Sequence, residues 1–325
     1  MVGHEAILQG FDPMIRGERL AHAYLLVGPT GVGKGAIASW VAARLLCQGN
    51  GKLSTLNSQF STSPCGACPA CVQVAAGTHP DVLRCTVEGA LTIDAVRAWT
   101  TSLTRTSLLG GWRVGIVEGA ETMSEEAANA CLKAIEEPPP HTIVCFTAPS
   151  RRAVIPTIAS RCVLVPCRRV ATSVVAAALV ARGVAASDAD ALALEADGCP
   201  GVALTWATDP EIRAAAEERL ALATRVLRGS YVERLQCIDA FIAKLPEDRG
   251  VARAHIMDLL HAFRALARGL ADRAVGRGDT PLGAGIRVAL PDLVAWMAVV
   301  SRASKELAAN VAPRLVFEGI ALSFP

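Results

Sequence analysis

The chain has 325 residues, 52% of them hydrophobic, which is enough for two or three domains with separate cores. No run approaches the ~20 uninterrupted apolar residues of a membrane span, and the first ten residues lack the basic-then-apolar order of a signal peptide. A cytoplasmic protein with no membrane partner is expected, and a formal charge of +2 gives no global field that would draw nucleic acid.

His22 to Val27 reads as a short apolar strand, followed by a glycine loop and a helical run from Ala36 to Leu46. The loop, Gly28-Pro29-Thr30-Gly31-Val32-Gly33-Lys34, fills seven of the eight positions of the P-loop signature. Its glycines let backbone N–H groups curl round phosphates, and Lys34 brings charge to the β/γ position. Strand before and helix after are the context this motif requires; without a ligand the same residues make a glycine-rich turn. The eighth position, where a Ser or Thr hydroxyl holds Mg²⁺, is Gly35. ATP or ADP is therefore expected to find a cradle in Gly28, Thr30, Gly31, Gly33, Lys34 and Gly35, while a well-ordered Mg²⁺ is not.

Asn50 to Pro64 is polar and reads as a flexible insertion. Beyond it, Cys65-Gly66-Ala67-Cys68-Pro69-Ala70-Cys71 spaces three thiols two residues apart, and Cys47 closes the preceding helix. Four thiolates at this spacing can build a tetrahedral structural Zn²⁺ site. An iron–sulfur cluster is the competing occupant, and a long insertion between the first ligand and the other three suits a structural clip. A zinc-dependent DNA-binding module would carry basic residues here, but Ser54 to Ala75 has no Lys or Arg. Of the eleven cysteines, Cys85, Cys131, Cys145, Cys167, Cys199 and Cys237 stand singly and read as small core residues.

Arg113 to Val117 and Thr142 to Thr147 are further strand candidates. The first runs into Glu118-Gly119, where an ATPase needs an Asp for Mg²⁺ and a neighbouring Glu to polarise water. Glu118 remains a metal candidate, but the base is gone. Between the strands, Ser124-Glu125-Glu126-Ala127 opens a helix with the logic of a capping box, and that helix ends before Pro138-Pro139-Pro140. Alternating strands and helices to about residue 166 predict a parallel-sheet α/β domain. After Pro166 strand signals stop. Ala171 to Arg182 and Asp188 to Ala196 read as alanine-rich helices closed by Gly198-Cys199-Pro200-Gly201. From Glu211 on, apolar residues recur at helical spacing: Leu235, Ile238, Ile242, Leu245, then Ile256, Leu260, Phe263, Ala267, Leu270. The last helices are expected near Leu293 to Leu307 and Pro313 to Leu322, after a loop from Gly276 to Gly285.

Taken together, several of these residues resemble the clamp-loader subunits of bacterial DNA polymerase III, within the AAA+ ATPases. They are His22-Ala23-Tyr24-Leu25, the P-loop, the four cysteines, Gly77-Thr78-His79-Pro80-Asp81, the run Asn129 to Pro139, and Ser160-Arg161-Cys162. The resemblance covers most of residues 3 to 206. It implies an AAA+ α/β domain over 1–166 with the zinc module at 47–71 inserted, a small helical lid at 167–207, and a helical collar that oligomerises at 208–325. Two branches of the family compete. Where the gamma/tau motor has Asp-Glu, this chain has Glu118-Gly119; where the motor has Thr after the lysine, it has Gly35. A sensor Thr falls at Ala148, with Thr147 beside it, and the lid's sensor arginine falls at Gly201. These departures resemble the non-hydrolysing delta-prime stator, with the ATP-hydrolysing gamma/tau motor as the alternative. The stator resemblance implies no independent ATPase activity and Arg161 as a finger reaching a neighbour's ATP. It also implies a hetero-pentamer with three gamma/tau subunits and one delta, acting on the sliding clamp and primer-template DNA.

Overall fold

A computed structural model describes residues 1–17, 19–49, 63–86, 91–109, 111–276, 285–308 and 311–325. Most of the polar insertion, and most of the loop expected from Gly276 to Gly285, lie outside the described residues. The chain divides into two units, Met1–Leu204 and Thr205–Pro325.

The first unit opens with α1 (Glu5–Arg16), β1 (Ala23–Val27), α2 (Lys34–Leu46) and α3 (Pro69–Ala75). It continues with β2 (Val82–Cys85), α4 (Ile93–Leu103), β3 (Arg113–Val117), α5 (Glu125–Glu136) and β4 (Thr142–Ala148). A short α6 (Pro156–Ala159) leads to β5 (Val163–Pro166), then come α7 (Thr172–Val180), α8 (Ala186–Glu195) and α9 (Pro200–Thr208). The five strands form one sheet, ordered β2-β3-β4-β1-β5, with every pairing parallel. This is the α/β class that the alternation of elements predicts.

Parallel strands covered on both faces read as unbroken apolar runs, which is why β1, β3 and β4 stood out in the sequence. Side chains alternate between faces, so β1 to β4 each contribute to two cores, while β5 adds only Val165 to one. Ala23, Leu25, Val117, Val144 and Phe146 pack with Trp99 of α4 and Cys131 of α5. Tyr24, Leu26, Ile116, Ile143 and Cys145 pack on the other side with Phe11 of α1 and Ile37 and Val41 of α2. Cys85, Cys131, Cys145, Cys167 and Cys199 are all buried, as single core cysteines should be, whereas Cys237 is only half-buried against the helical core of the second unit.

Local sequence explains the boundaries. Ser124 Oγ accepts the Ala127 N–H at 3.2 Å and starts α5. Position N3 is Ala127, so the forward half of the expected capping box exists without its reciprocal Glu. Two strands, β2 and β5, were not singled out in the sequence. Each is four residues long, one interrupted by Arg84 and one closed by Pro166. Gly198-Cys199-Pro200-Gly201, expected to close a helix, also starts one: Pro200 is the first residue of α9, where a missing N–H costs nothing.

The second unit is helical: α10 (Pro210–Arg228), α11 (Tyr231–Ala243), α12 (Arg249–Ala274), α13 (Leu290–Ala308) and α14 (Pro313–Leu322). The stripe Ile256, Leu260, Phe263, Ala267 and Leu270 is buried throughout and meets Ile238, Phe241, Trp296 and Phe317. Trp296 Nε1 donates to the Ile320 carbonyl at 2.8 Å, and Arg234 Nη1 donates to the carbonyls of Ala321 and Phe324, fixing the chain end. Among the described residues no helix is long and apolar enough to cross a membrane.

Candidate functional site

The glycine loop lies at the carboxyl ends of the strands, between β1 and α2, where open α/β sheets gather their binding residues. Its backbone is shaped by residues that only glycine can be. A Cβ on Gly28 would fall 2.2 Å from the Cys167 carbonyl oxygen, and Gly31 and Gly33 sit at φ +73° and +109°. Thr30, at the tip, is exposed. Thus Gly28, Thr30, Gly31, Gly33, Lys34 and Gly35 are brought into one turn at the head of α2.

Several polar groups of that turn have partners within the chain. Lys34 Nζ donates to the Gly28 and Pro29 carbonyls, both at 2.7 Å. Burial pushes its pKa down, while Glu121 and, more weakly, Glu118 pull it up. His4 Nε2 lies 2.8 Å from the Val32 carbonyl oxygen and donates to it. The N–H of Gly201, in the first turn of α9, donates to the Gly31 carbonyl at 2.7 Å. A Cβ on Gly31 would meet Val202 Cγ2 at 2.4 Å, so α9 is seated directly on the loop.

Glu118 follows β3 and faces Gly35, where an added Cβ would stand 3.2 Å from its Oε1. That carboxylate is held by Arg84 of β2, whose Nη1 donates to Oε1 at 3.0 Å. Arg84 Nη2 donates to Ser39 Oγ at 2.6 Å, and Ser39 donates on to the Gly35 carbonyl at 2.7 Å. A guanidinium thus bonds the acid that the sequence offers as a metal candidate. Arg84 was missed in the sequence; its only signal is a cation inside a four-residue apolar strand. Thr147 Oγ1 accepts the Gly119 N–H at 3.2 Å, so the threonine beside Ala148 does reach the acidic turn.

The four cysteines converge on one point. Cys47 directly follows α2, Cys65 and Cys68 precede α3, and Cys71 lies in its first turn. Among the described residues their Sγ atoms all lie within 4.8 Å of one another. Two of the separations, Cys65 to Cys71 and Cys68 to Cys47, are 3.9 and 4.0 Å. A tetrahedron of sulfurs about Zn²⁺ at its usual bond length has edges of about 3.8 Å, so the donor set and its size fit that ion. Gly66 turns at φ +72°, and a Cβ on Gly49 would fall 2.7 Å from Cys65 Sγ, so both glycines are needed for the closure. Burial opposes ionisation of Cys68, but N–H groups of Cys71 and Gln48 help hold its pKa down to about 6; burial pushes Cys71 up to about 12. A metal would take all four as thiolates, and the cluster can hold one.

Arg161 is remote in sequence from the loop and follows α6. Its Nε bonds Glu136 Oε1, at the end of α5, at 2.5 Å, and its Nη1 donates to the Thr157 carbonyl at 3.1 Å. The side chain keeps 39% of its exposure. Beside it, Val163 and Leu164 of the edge strand β5 are both exposed, at 49% and 42%.

A family model described as DNA polymerase III, delta subunit matches residues 3–171. The chain is 42% identical over 150 residues to the DNA polymerase III subunit delta' of Pseudomonas aeruginosa, covering 45% of this chain and 43% of that protein. It is 34% identical over 144 residues to the delta' subunit of Escherichia coli K12, covering 43% and 40%. The gamma/tau subunit of Mycobacterium tuberculosis aligns over 98% of this chain and 59% of its own, at 27% identity. The chain thus spans about half the length of the curated relatives it matches. A solved gamma subunit-related protein from Thermotoga maritima superposes with a TM-score of 0.47 at 17% identity, over 98% of both chains.

Proposed function

Because the chain belongs to the DNA polymerase III delta subunit family, we propose that it is the delta-prime subunit of the clamp loader. In that role it is a largely non-hydrolysing AAA+ stator that supports ATP-dependent loading of the sliding clamp on primer-template DNA. Its partners are three gamma/tau subunits and one delta in a hetero-pentamer. Its site of action is the bacterial cytoplasm. The helices of 167–207 serve as lid and those of 208–325 as the collar that holds the ring.

One observation carries this reading: the groups a motor would turn toward ATP and Mg²⁺ are bonded to the chain itself. Lys34 rests on loop carbonyls, Glu118 is paired with Arg84, and position 35 has no hydroxyl. With Gly119 where the water-polarising Glu would be, the chain lacks a base as well. Arg161 is also held within the chain, by Glu136 and the Thr157 carbonyl. Its side chain is nonetheless 39% exposed next to Val163 and Leu164 of the exposed edge strand, the surroundings expected of a finger that meets a neighbouring subunit. The four cysteines hold a structural Zn²⁺ that ties the end of α2 to the start of α3.

A second reading, a gamma/tau-type motor, is favoured by the alignment over 98% of this chain with a gamma/tau subunit. Turnover by the purified chain separates the two. The stator shows no ATP hydrolysis above background; steady turnover abolished by Lys34→Ala would identify a motor.

A further inference from the structure

The run Glu136-Glu137-Pro138-Pro139 is part of the family resemblance but has no role in the site described above. We propose that Glu136 is a positioning residue for Arg161, an inference that rests on the finger reading of Arg161. An arginine side chain has many rotamers, so an exposed finger loses effectiveness unless something fixes it before the neighbour arrives.

Two anchors do so. Glu136 Oε1 accepts from Nε, and the Thr157 carbonyl accepts from Nη1. They take Nε and Nη1, and among the described residues Nη2 has no hydrogen-bond partner. Nη2 therefore keeps both of its N–H groups for phosphate oxygens. The backbone supports both anchors. Glu136 is the last residue of α5, a helix stopped by the prolines after it, so its side chain is held where the helix ends. Thr157 lies in α6, and the Arg161 N–H bonds the Ile158 carbonyl of the same turn. The residue also meets the negative end of the α5 dipole.

A plain surface ion pair is the competing explanation. Glu136 and Arg161 are 46% and 39% exposed, and pairs of that kind contribute little to stability. That weakness makes the test clean, because loss of the pair leaves the fold intact.

The experiment is a double-mutant cycle in the assembled complex of this chain with the gamma/tau and delta subunits of the same organism, read as clamp- and DNA-stimulated ATPase. Glu136→Ala is expected to lower kcat at the one site that Arg161 serves by about three- to tenfold, because the Thr157 anchor remains and only part of the rotamer freedom returns. KM for ATP should stay unchanged, as should assembly and metal content. Glu136→Gln, which keeps an acceptor for Nε, should recover part of the loss. In the Arg161→Ala background, Glu136→Ala should have no further effect. If Arg161→Ala lowers the rate and Glu136→Ala does not, the positioning role is overturned and the finger reading stands. An equal loss from Glu136→Ala in both backgrounds also overturns positioning, since it marks a structural effect. If Arg161→Ala changes nothing, the finger reading fails and takes the positioning role with it.

Discussion

Asp81 is the buried carboxylate whose removal should cost this fold most. It is 0% exposed and accepts from Ser107 Oγ at 2.9 Å, Leu108 N at 2.9 Å and Leu109 N at 3.1 Å. Arg113 Nη2 lies 3.4 Å away with its side chain 5% exposed. Burial alone would raise the Asp81 pKa; the hydrogen bonds from Leu108, Ser107 and Leu109, then Arg113, outweigh it and hold the carboxyl below its usual range. Asp81→Ala leaves a buried guanidinium without its counter-charge, a loss of about 3–5 kcal/mol. Arg113 keeps its bonds to the Ser102 and Arg105 carbonyls, which places the expected loss near the lower figure. Asp81→Asn keeps the shape and loses the charge-assisted bonds, about 1.5–3 kcal/mol. A carboxyl depressed by folding stabilises fully above its unfolded pKa of about 3.9, and that stabilisation is lost as pH falls through the folded value. The gap between wild type and Asp81→Asn should therefore be complete at pH 7 and shrink in acid below about pH 4. Urea titration with hydrogen exchange read at β2 and β3 amides isolates the first unit from the helical one. A gap under about 0.5 kcal/mol at pH 7, the ordinary range for surface changes, would refute the reasoning. So would a gap that does not change with acid.

Three other outcomes follow from the site. Purified chain should carry about one Zn²⁺, and Cys68→Ser should lose it and destabilise the first unit, because metal-binding energy is folding energy at such a site; iron in metal analysis would contradict this. Gly35→Thr should not restore Mg²⁺-dependent hydrolysis, since its Cβ would press on Glu118 and Arg84 already holds that acid; measured turnover by the variant would show that one hydroxyl was all the chain lacked. Gly31→Ala combines a left-handed backbone with a 2.4 Å approach to Val202, so it should lower stability by about 1–3 kcal/mol and loosen α9 in hydrogen exchange; unchanged protection of α9 would contradict the seating of that helix on the loop.

The parts legible in the sequence were those coded by neighbours along the chain. The P-loop spacing, the three cysteines at two-residue intervals and the apolar runs of β1, β3 and β4 are local patterns with a direct physical meaning. Gly77 to Asp81 belonged to the resemblance without a reason. The structure gives one: Gly77 turns at φ +72°, His79 Nδ1 accepts the Asp81 N–H, and Asp81 then pins the loop after α4. What stayed hidden depends on distant pairs. Arg84 meets Glu118 across 34 positions, and Glu136 meets Arg161 across 25, with no periodicity to announce either. Strands β2 and β5 were too short for alternation to register, and α1 carries Pro13 inside its pattern.

The central claim is that this chain is one stator in a ring of related subunits. Native mass spectrometry of the chain mixed with gamma/tau and delta tests it most directly. The account predicts a single assembly with one copy of this chain, three of gamma/tau and one of delta, unaffected by Arg161→Ala. A chain that stays free in the mixture, or that replaces gamma/tau copies in the ring, would contradict it.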